Sequence, residues 1–346
     1  MIKKISLIAI VLFISSCEKN ENLLENNLDT DLKKEISNVA KLSRNLGVWD
    51  VLLEGYSGSD DSKGKTINSY INSDFDGDGK LDIVTADNEK GVLYFDYSGN
   101  NFGKWDRTVA GYGKDGLHLS GDYNGDGKSD IFFVNKSGTI YIDYSVNGWD
   151  KILNGYSKSD SSNRYINSDF DGDGKFDIAV SDDKNGVLYF DYSKNGYGKW
   201  DRVVNGYGKG GLHFSGDYNG DGKSDIFYVN QAGTVYIDYS VNGWDKTLAG
   251  YSLPYSSDNG YINSDFDGDG KLDIIVADNK EGIIYFDYSN NGFGVWDEIV
   301  SGYGKRGKFI WESYSTHYSG DFDGDNKSDI MMVNKNGSLY LNLSSQ

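Results

Sequence analysis

The sequence predicts an all-β fold, a six-bladed β-propeller of four-stranded antiparallel blades, and three observations lead there. An acidic ten-residue phrase recurs six times. Each interval between copies holds strand-length apolar runs separated by turn residues. The two ends of the array are complementary fragments of one repeat.

The phrase D-x-[DN]-G-D-[GN]-K-x-D-I begins at Asp74, Asp122, Asp169, Asp217, Asp265 and Asp321, at intervals of 48, 47, 48, 48 and 56 residues. Each copy is followed by a β-rich run such as 83–86, a turn, and Y-x-[DN]-[YL], as at 94–97. A Gly/Asn turn and a Trp-Asp strand, as at 105–111, complete the unit. Four short strands repeated at this period are what one propeller blade requires. The array opens with a Trp-Asp strand, 49–56, that no acidic phrase precedes, and ends at 340–343 without one. The N-terminal strand is therefore expected to become the outer strand of the last blade, closing the ring and leaving no open sheet edge.

Within D-F-D-G-D-G-K-L-D, carboxylates at positions 1, 3, 5 and 9 converge, Gly at position 6 permits a sharp turn, and the position-7 carbonyl faces inward. The first loop offers Asp74, Asp76, Asp78, Asp82 and the Lys80 carbonyl. The third offers Asp169, Asp171, Asp173, Asp177 and Lys175; the fifth, Asp265, Asp267, Asp269, Asp273 and Lys271. The sixth offers Asp321, Asp323, Asp325, Asp329 and Lys327. Two loops carry Asn at position 3: Asp122, Asn124, Asp126, Asp130 with Lys128, and Asp217, Asn219, Asp221, Asp225 with Lys223. Hard oxygen donors in a flexible ring suit Ca²⁺ better than Mg²⁺, and the loops offer zinc neither thiolate nor imidazole. About six structural Ca²⁺ ions are expected. The sixth loop has Asn326 at position 6. Asn tolerates left-handed geometry, so that site is expected to survive in weaker form. The competing reading is a set of Asp/Gly turns without metal.

Composition agrees with cation binding. Asp and Glu number 53 against 34 Lys and Arg, a formal charge of −19. Such acidity disfavours nucleic acid as a partner. With 27 Tyr and 7 Trp, the chain is too aromatic for a disordered acidic segment. Twenty-two of the carboxylates lie in the six loops, and six Ca²⁺ would move the charge from −19 to −7.

Residues 1–16 carry Lys3 and Lys4, then an apolar run over 5–14, with the proportions of a signal peptide rather than a membrane span. The run ends Ser15-Ser16-Cys17, and Cys17 is the only cysteine. This resembles the lipobox of bacterial lipoproteins, which implies lipidation of Cys17 and an extracytoplasmic, membrane-anchored protein at the outer membrane or cell surface. An ordinary secretory signal with an incidental cysteine is the alternative. Residues 17–46 read as the lipidated cysteine, a polar tether and a short amphipathic helix, and 47–346 as the propeller.

The Asp-rich loop, set in this blade pattern, resembles the FG-GAP/VCBS repeats of bacterial surface proteins, which are related to the propeller of integrin α-subunits. The resemblance covers about residues 47–346. The literal Phe-Gly…Gly-Ala-Pro signature is absent, as is the Gly-His partner of the WD40 repeat, and integrin propellers have seven blades. Integrin partner-binding details therefore do not transfer.

Calcium of this kind names a scaffold, not an activity. The sequence reading is a calcium-stabilised surface binding or adhesion module, expected to be monomeric, that meets a glycan or protein on the face opposite the calcium loops. The last repeat holds about eight extra residues between Tyr303 and His317, including Arg306, Phe309, Trp311 and Tyr314. These aromatic and basic residues are the candidates for partner contact; a drift-tolerant loop is the alternative. His118, His213 and His317 share one repeat position that Tyr70, Tyr165 and Tyr261 fill in the other units. They form either a threefold ligand site or a set of repeated packing residues. The six repeated tryptophans read as blade packing, although some lectins that resemble this propeller type bind sugar between blades. No nucleophile elbow, zincin motif or Cys-His pairing is present, so no enzyme is expected. A lyase-like polysaccharide enzyme is the competing class, with Arg306 or Arg164 as the cation it would need.

Overall fold

Six four-stranded antiparallel sheets follow one another in the computed structural model, which describes residues 49–54, 56, 68–156, 163–251, 259–278, 281–303, 317–333 and 338–343. The first strand, β1 (Val51–Leu53), stands apart from the repeats that follow it. Blade 1 comprises β2 (Asn68–Tyr70), β3 (Ile83–Asp87), β4 (Val92–Asp96) and β5 (Arg107–Ala110). Blade 2 comprises β6 (Leu117–Gly121), β7 (Asp130–Val134), β8 (Ile140–Asp143) and β9 (Lys151–Leu153). Blade 3 holds β10 (Asn163–Tyr165), β11 (Ile178–Asp182), β12 (Val187–Asp191) and β13 (Arg202–Asn205). Blade 4 holds β14 (Leu212–Gly216), β15 (Asp225–Val229), β16 (Val235–Asp238) and β17 (Lys246–Leu248). Blade 5 holds β18 (Asn259–Tyr261), β19 (Ile274–Asp278), β20 (Ile283–Asp287) and β21 (Glu298–Ser301). Blade 6 joins β22 (His317–Gly320), β23 (Asp329–Val333) and β24 (Leu339–Asn342) to β1.

The expected closure is therefore present. Val51 pairs with Leu341 and Leu53 with Leu339. Asp50 donates its N–H to the Leu341 carbonyl (2.9 Å) and accepts from the Leu343 N–H on its side chain (2.8 Å). Both edges of the chain's repeat array are spent on each other, so the sixth blade is as complete as the rest.

Burial explains the strand patterns. The second strand of a blade is covered on both faces by neighbouring blades, so β3 and β7 are buried throughout. The outer strands β5 and β13 alternate half-buried with exposed, as one-sided packing requires. Each apolar cluster spans two blades. One joins Val84, Leu93 and Phe95 of blade 1 to Ile131 of blade 2. Another joins Phe322, Met331 and Leu341 of blade 6 to Ile83 of blade 1. The core is thus a ring of seams.

The tryptophans sit in those seams. Trp105 lies just before β5, between Tyr56 (centroids 4.7 Å) and Tyr94 (5.5 Å). Trp200 repeats this with Tyr156 (4.8 Å) and Tyr189 (5.4 Å), and Trp49 with Tyr303 (5.2 Å) and Tyr340 (5.6 Å). Blade packing is the role they fill. No helix among the described residues is long and apolar enough to cross a membrane. Residues 1–16, the tether and helix over 17–46, and Cys17 lie outside the described residues.

Candidate metal loops and the central channel

All six acidic loops join the first strand of a blade to its second, so they share one rim of the ring. In the first loop Asp74 gathers the backbone: Oδ1 accepts from Gly77 N–H (2.6 Å) and Oδ2 from Gly79 N–H (2.9 Å). Asp78 Oδ1 accepts from Lys80 N–H (2.9 Å). Asp82 is fully buried and accepts from Phe75 N–H (2.8 Å) and Ser98 N–H (2.9 Å). These bonds curl the loop until its side chains face one another.

The four loops with Asp at position 3 each bring three carboxylate oxygens within 4.8 Å of one another. The sets are Asp74, Asp76, Asp82; Asp169, Asp171, Asp177; Asp265, Asp267, Asp269; and Asp321, Asp323, Asp325. Asp171 Oδ1 is buried without a hydrogen-bond partner. A hard cation at that point would satisfy it and offset the repulsion, so the donor set fits a divalent metal. In the second and fourth loops Asn124 and Asn219 turn their amide N–H groups toward Asp130 and Asp225. A half-turn of the amide would present oxygen instead. Asn326 adopts φ +65°, the left-handed value its glycine counterparts take, and its N–H reaches Asp321 Oδ2 (2.9 Å). The sixth loop keeps the shared turn.

Burial raises the position-9 carboxyls. Asp82 and Asp177 are pushed up to about 6 and Asp273 to about 7. Asp130 and Asp225 reach about 8. Desolvation is the main cause in each case, and neighbouring loop carboxylates add to it.

Three sets of contacts escaped sequence reasoning. Ser98, Ser193 and Ser289 each support a loop, donating N–H to the position-9 carboxylate and Oγ–H to the position-5 one. The recurrent Ser after Y-x-D-Y was the available signal. The position-7 lysines reach the neighbouring loop, Lys128 Nζ donating to the Asp76 carbonyl (2.7 Å). A Cβ on Gly77 would lie 3.2 Å from that lysine's side chain, which explains the glycine at position 4. Position 8 of every loop donates its N–H to the position-1 carbonyl of the loop before it, as from Ser129 to Asp74 (2.7 Å) and Phe176 to Asp122 (2.7 Å).

The family model for the FG-GAP-like repeat matches residues 74–133 and 265–332, two stretches that each contain this loop and the strands around it. The fold is an FG-GAP β-propeller. A lectin of Agrocybe aegerita, described as specifically recognising non-reducing terminal N-acetylglucosamine, has 18% identity and a TM-score of 0.53, over 76% of this chain and 74% of that one. The Photorhabdus luminescens Tc holotoxin pore has 16% identity and a TM-score of 0.51, over 80% of this chain and 14% of that one. BBS1N, solved in complex with ARL6DN, has 9% identity and a TM-score of 0.50, over 88% and 98%. At these identities the likeness is one of fold. No curated protein matches the sequence.

The three histidines of the FG-GAP propeller do not form one site. Each is nearly buried, and its Nε2 donates to the carbonyl of the tyrosine that ends the preceding blade: His118 to Tyr112 (2.5 Å), His213 to Tyr207 and His317 to Tyr303 (3.2 Å). Tyr70 and Tyr261 donate their hydroxyls to the equivalent carbonyls of Tyr56 and Tyr251 (both 3.4 Å). Tyr and His alternate because either supplies one donor at that point. Burial pushes His317 down to about 4 and His118 below its ordinary value, so both stay neutral. The inner strands enclose a central cavity of about 1050 Å³ lined by Tyr70, Tyr165, Tyr261, Asn72, Asn263 and Arg164, among others. Arg306, Phe309, Trp311 and Tyr314 lie outside the described residues.

Proposed function

We propose that this FG-GAP propeller is a calcium-stabilised binding module, anchored at the cell envelope through a lipid on Cys17, whose ligand is a saccharide. The observation that carries the ligand reading is the central cavity. Its wall combines tyrosine rings with amide and hydroxyl groups from the inner strands, the mixture of flat apolar faces and hydrogen-bonding groups that sugars require. The shared fold with a lectin supports the same reading. Calcium is the ion of choice because each loop supplies three or four carboxyl groups plus a carbonyl on a flexible turn. The ions act on the scaffold, holding the rim, and binding proceeds without turnover.

A glycan array run with calcium tests this, beside the Trp311→Ala variant as a probe of the insertion. Saturable binding to defined saccharides, weakened by a chelator, is expected. An array with no bound saccharide would overturn the ligand assignment and leave a protein partner as the alternative. Product release from an acidic polysaccharide would replace the binding module by an enzyme.

A further inference from the structure

Blade 3 departs from its repeats at three positions that meet in space. Arg164 on β10 pairs across the sheet with Ser181 on β11. The same register holds Ser69 opposite Ala86 in blade 1 and Gly260 opposite Ala277 in blade 5. Asp183 follows β11 where blade 1 has Asn88. The three substitutions make one cluster. Arg164 Nε donates to Asp183 Oδ2 (2.8 Å). Ser181 Oγ–H donates to Asp183 Oδ1 (2.5 Å), and His213 Nδ1 lies 3.1 Å from the same oxygen.

The arrangement has a direction. Asp183 is buried, whereas the Arg164 side chain is 47% exposed and faces the cavity. Burial opposes ionisation of Asp183, but hydrogen bonds from His213 and Ser181, with the electrostatic pull of His213 and then of Arg164, outweigh it and hold the carboxyl below its ordinary range. The carboxylate therefore stands behind the guanidinium and fixes it by one nitrogen. Among the described residues neither Nη group has a protein partner, and no Lys, Arg, Asp or Glu other than Arg164 and Asp183 lines the cavity. A guanidinium held by Nε presents two parallel N–H bonds from its Nη groups, the geometry that grips a carboxylate in two places. The cluster lies at the β11–β12 turn, the end of the blade away from the metal loops.

We propose that Arg164 is the anchor for a carboxylate-bearing saccharide in the central cavity, with Asp183 as its positioning residue. This rests on the saccharide reading above and names the sugar class. The chain's overall charge of −19 opposes anions at long range, so recognition depends on this one local contact.

The test is calorimetric titration of the full-length, calcium-loaded protein with trigalacturonic acid and with its methyl ester, at constant ionic strength. The acid is expected to bind at least tenfold more tightly than the ester. Arg164→Gln should remove that preference, bringing the acid's affinity down to that of the ester, and should lower the melting temperature because the buried Asp183 loses its ion-pair partner. Arg164→Lys should retain part of it, and Asp183→Asn should weaken the acid alone. Equal binding of acid and ester, unaffected by Arg164→Gln, would overturn the anchor and leave the saccharide reading standing. No binding of either, together with a silent glycan array, would overturn both. Array-positive neutral sugars with no binding of the acid would overturn the anchor alone.

Discussion

Leu81 donates its backbone N–H to the carbonyl of Asp321 at 2.8 Å, joining the first acidic loop to the sixth. That bond completes a circuit in which every loop is tied to the one before it. The rim is a single hydrogen-bonded ring, so what happens in one loop bears on the whole propeller.

Metal removal should therefore be felt globally. With free Ca²⁺ about tenfold above Kd, each site contributes roughly 1.4 kcal/mol and six contribute about 8. For a body of this size that corresponds to a fall of roughly 10 °C in melting temperature on adding EDTA. An unchanged melt, with metal analysis showing none retained, would refute calcium stabilisation.

The pH dependence should change sign with metal. Without it, Asp82, Asp177 and Asp273 titrate at about 6 to 7, and Asp130 and Asp225 at about 8, all above an unfolded value near 3.8. The folded state then holds protons the unfolded state has released, so metal-free stability falls as pH rises from about 4 to 8. Calcium displaces those protons, so the stabilisation it gives should grow over the same window. Chemical denaturation at pH 5 and pH 8, with and without calcium, reads both slopes.

The turn at position 6 should distinguish Asn from residues with a bulkier Cβ. Gly174 has φ +84° and nothing within 4 Å of an added Cβ, so Gly174→Asn should cost under about 1 kcal/mol, as Asn326 shows is tolerated. Gly174→Val should cost about 2 kcal/mol or more, because a β-branched residue resists left-handed geometry. Gly125→Ala at position 4 adds a contact of 2.9 Å with Lys175 to its positive φ and should weaken calcium affinity at the second loop. Denaturation midpoints and calcium titrations measure these effects.

Successive blades are also latched by tyrosine. The hydroxyl of Tyr156, at the end of blade 2, bonds the Asp191 carboxylate of blade 3. Tyr112 does the same to Asp143 (2.5 Å), and Tyr303 to Asn342 (3.0 Å). Tyr156→Phe leaves a buried carboxylate short of a donor and should cost about 1.5–3 kcal/mol, visible as a lower denaturation midpoint.

Anchoring has its own test. Cys17→Ala should move the protein from the membrane fraction to the soluble fraction and abolish incorporation of labelled fatty acid. Unchanged fractionation with no label in the parent protein would refute the lipid anchor.

Much of this is legible in the sequence. The six copies from Asp74 to Asp321 fixed the blade count, and the unmatched Trp49 strand fixed the closure, because a repeat carries its structure in its spacing. The turn at Asn326 was readable from backbone sterics alone. The alternation of His118 and Tyr70 was visible too, but not what each donates to. His118 reaches Tyr112 in the preceding linker, and only the docking of two blades creates that contact.

The sequence by itself determined the toroid, its number of blades and the acidic loops on one rim, since these follow from local periodicity and from the chemistry of carboxylates on a tight turn. Tertiary structure alone decided which side chains meet: Lys128 with the first loop and Tyr156 with Asp191 across seams, and Arg164 with Asp183 within blade 3 in the cavity wall. Such contacts join residues of different strands or blades, and their geometry is set by how sheets pack around an axis, for which linear spacing provides no measure.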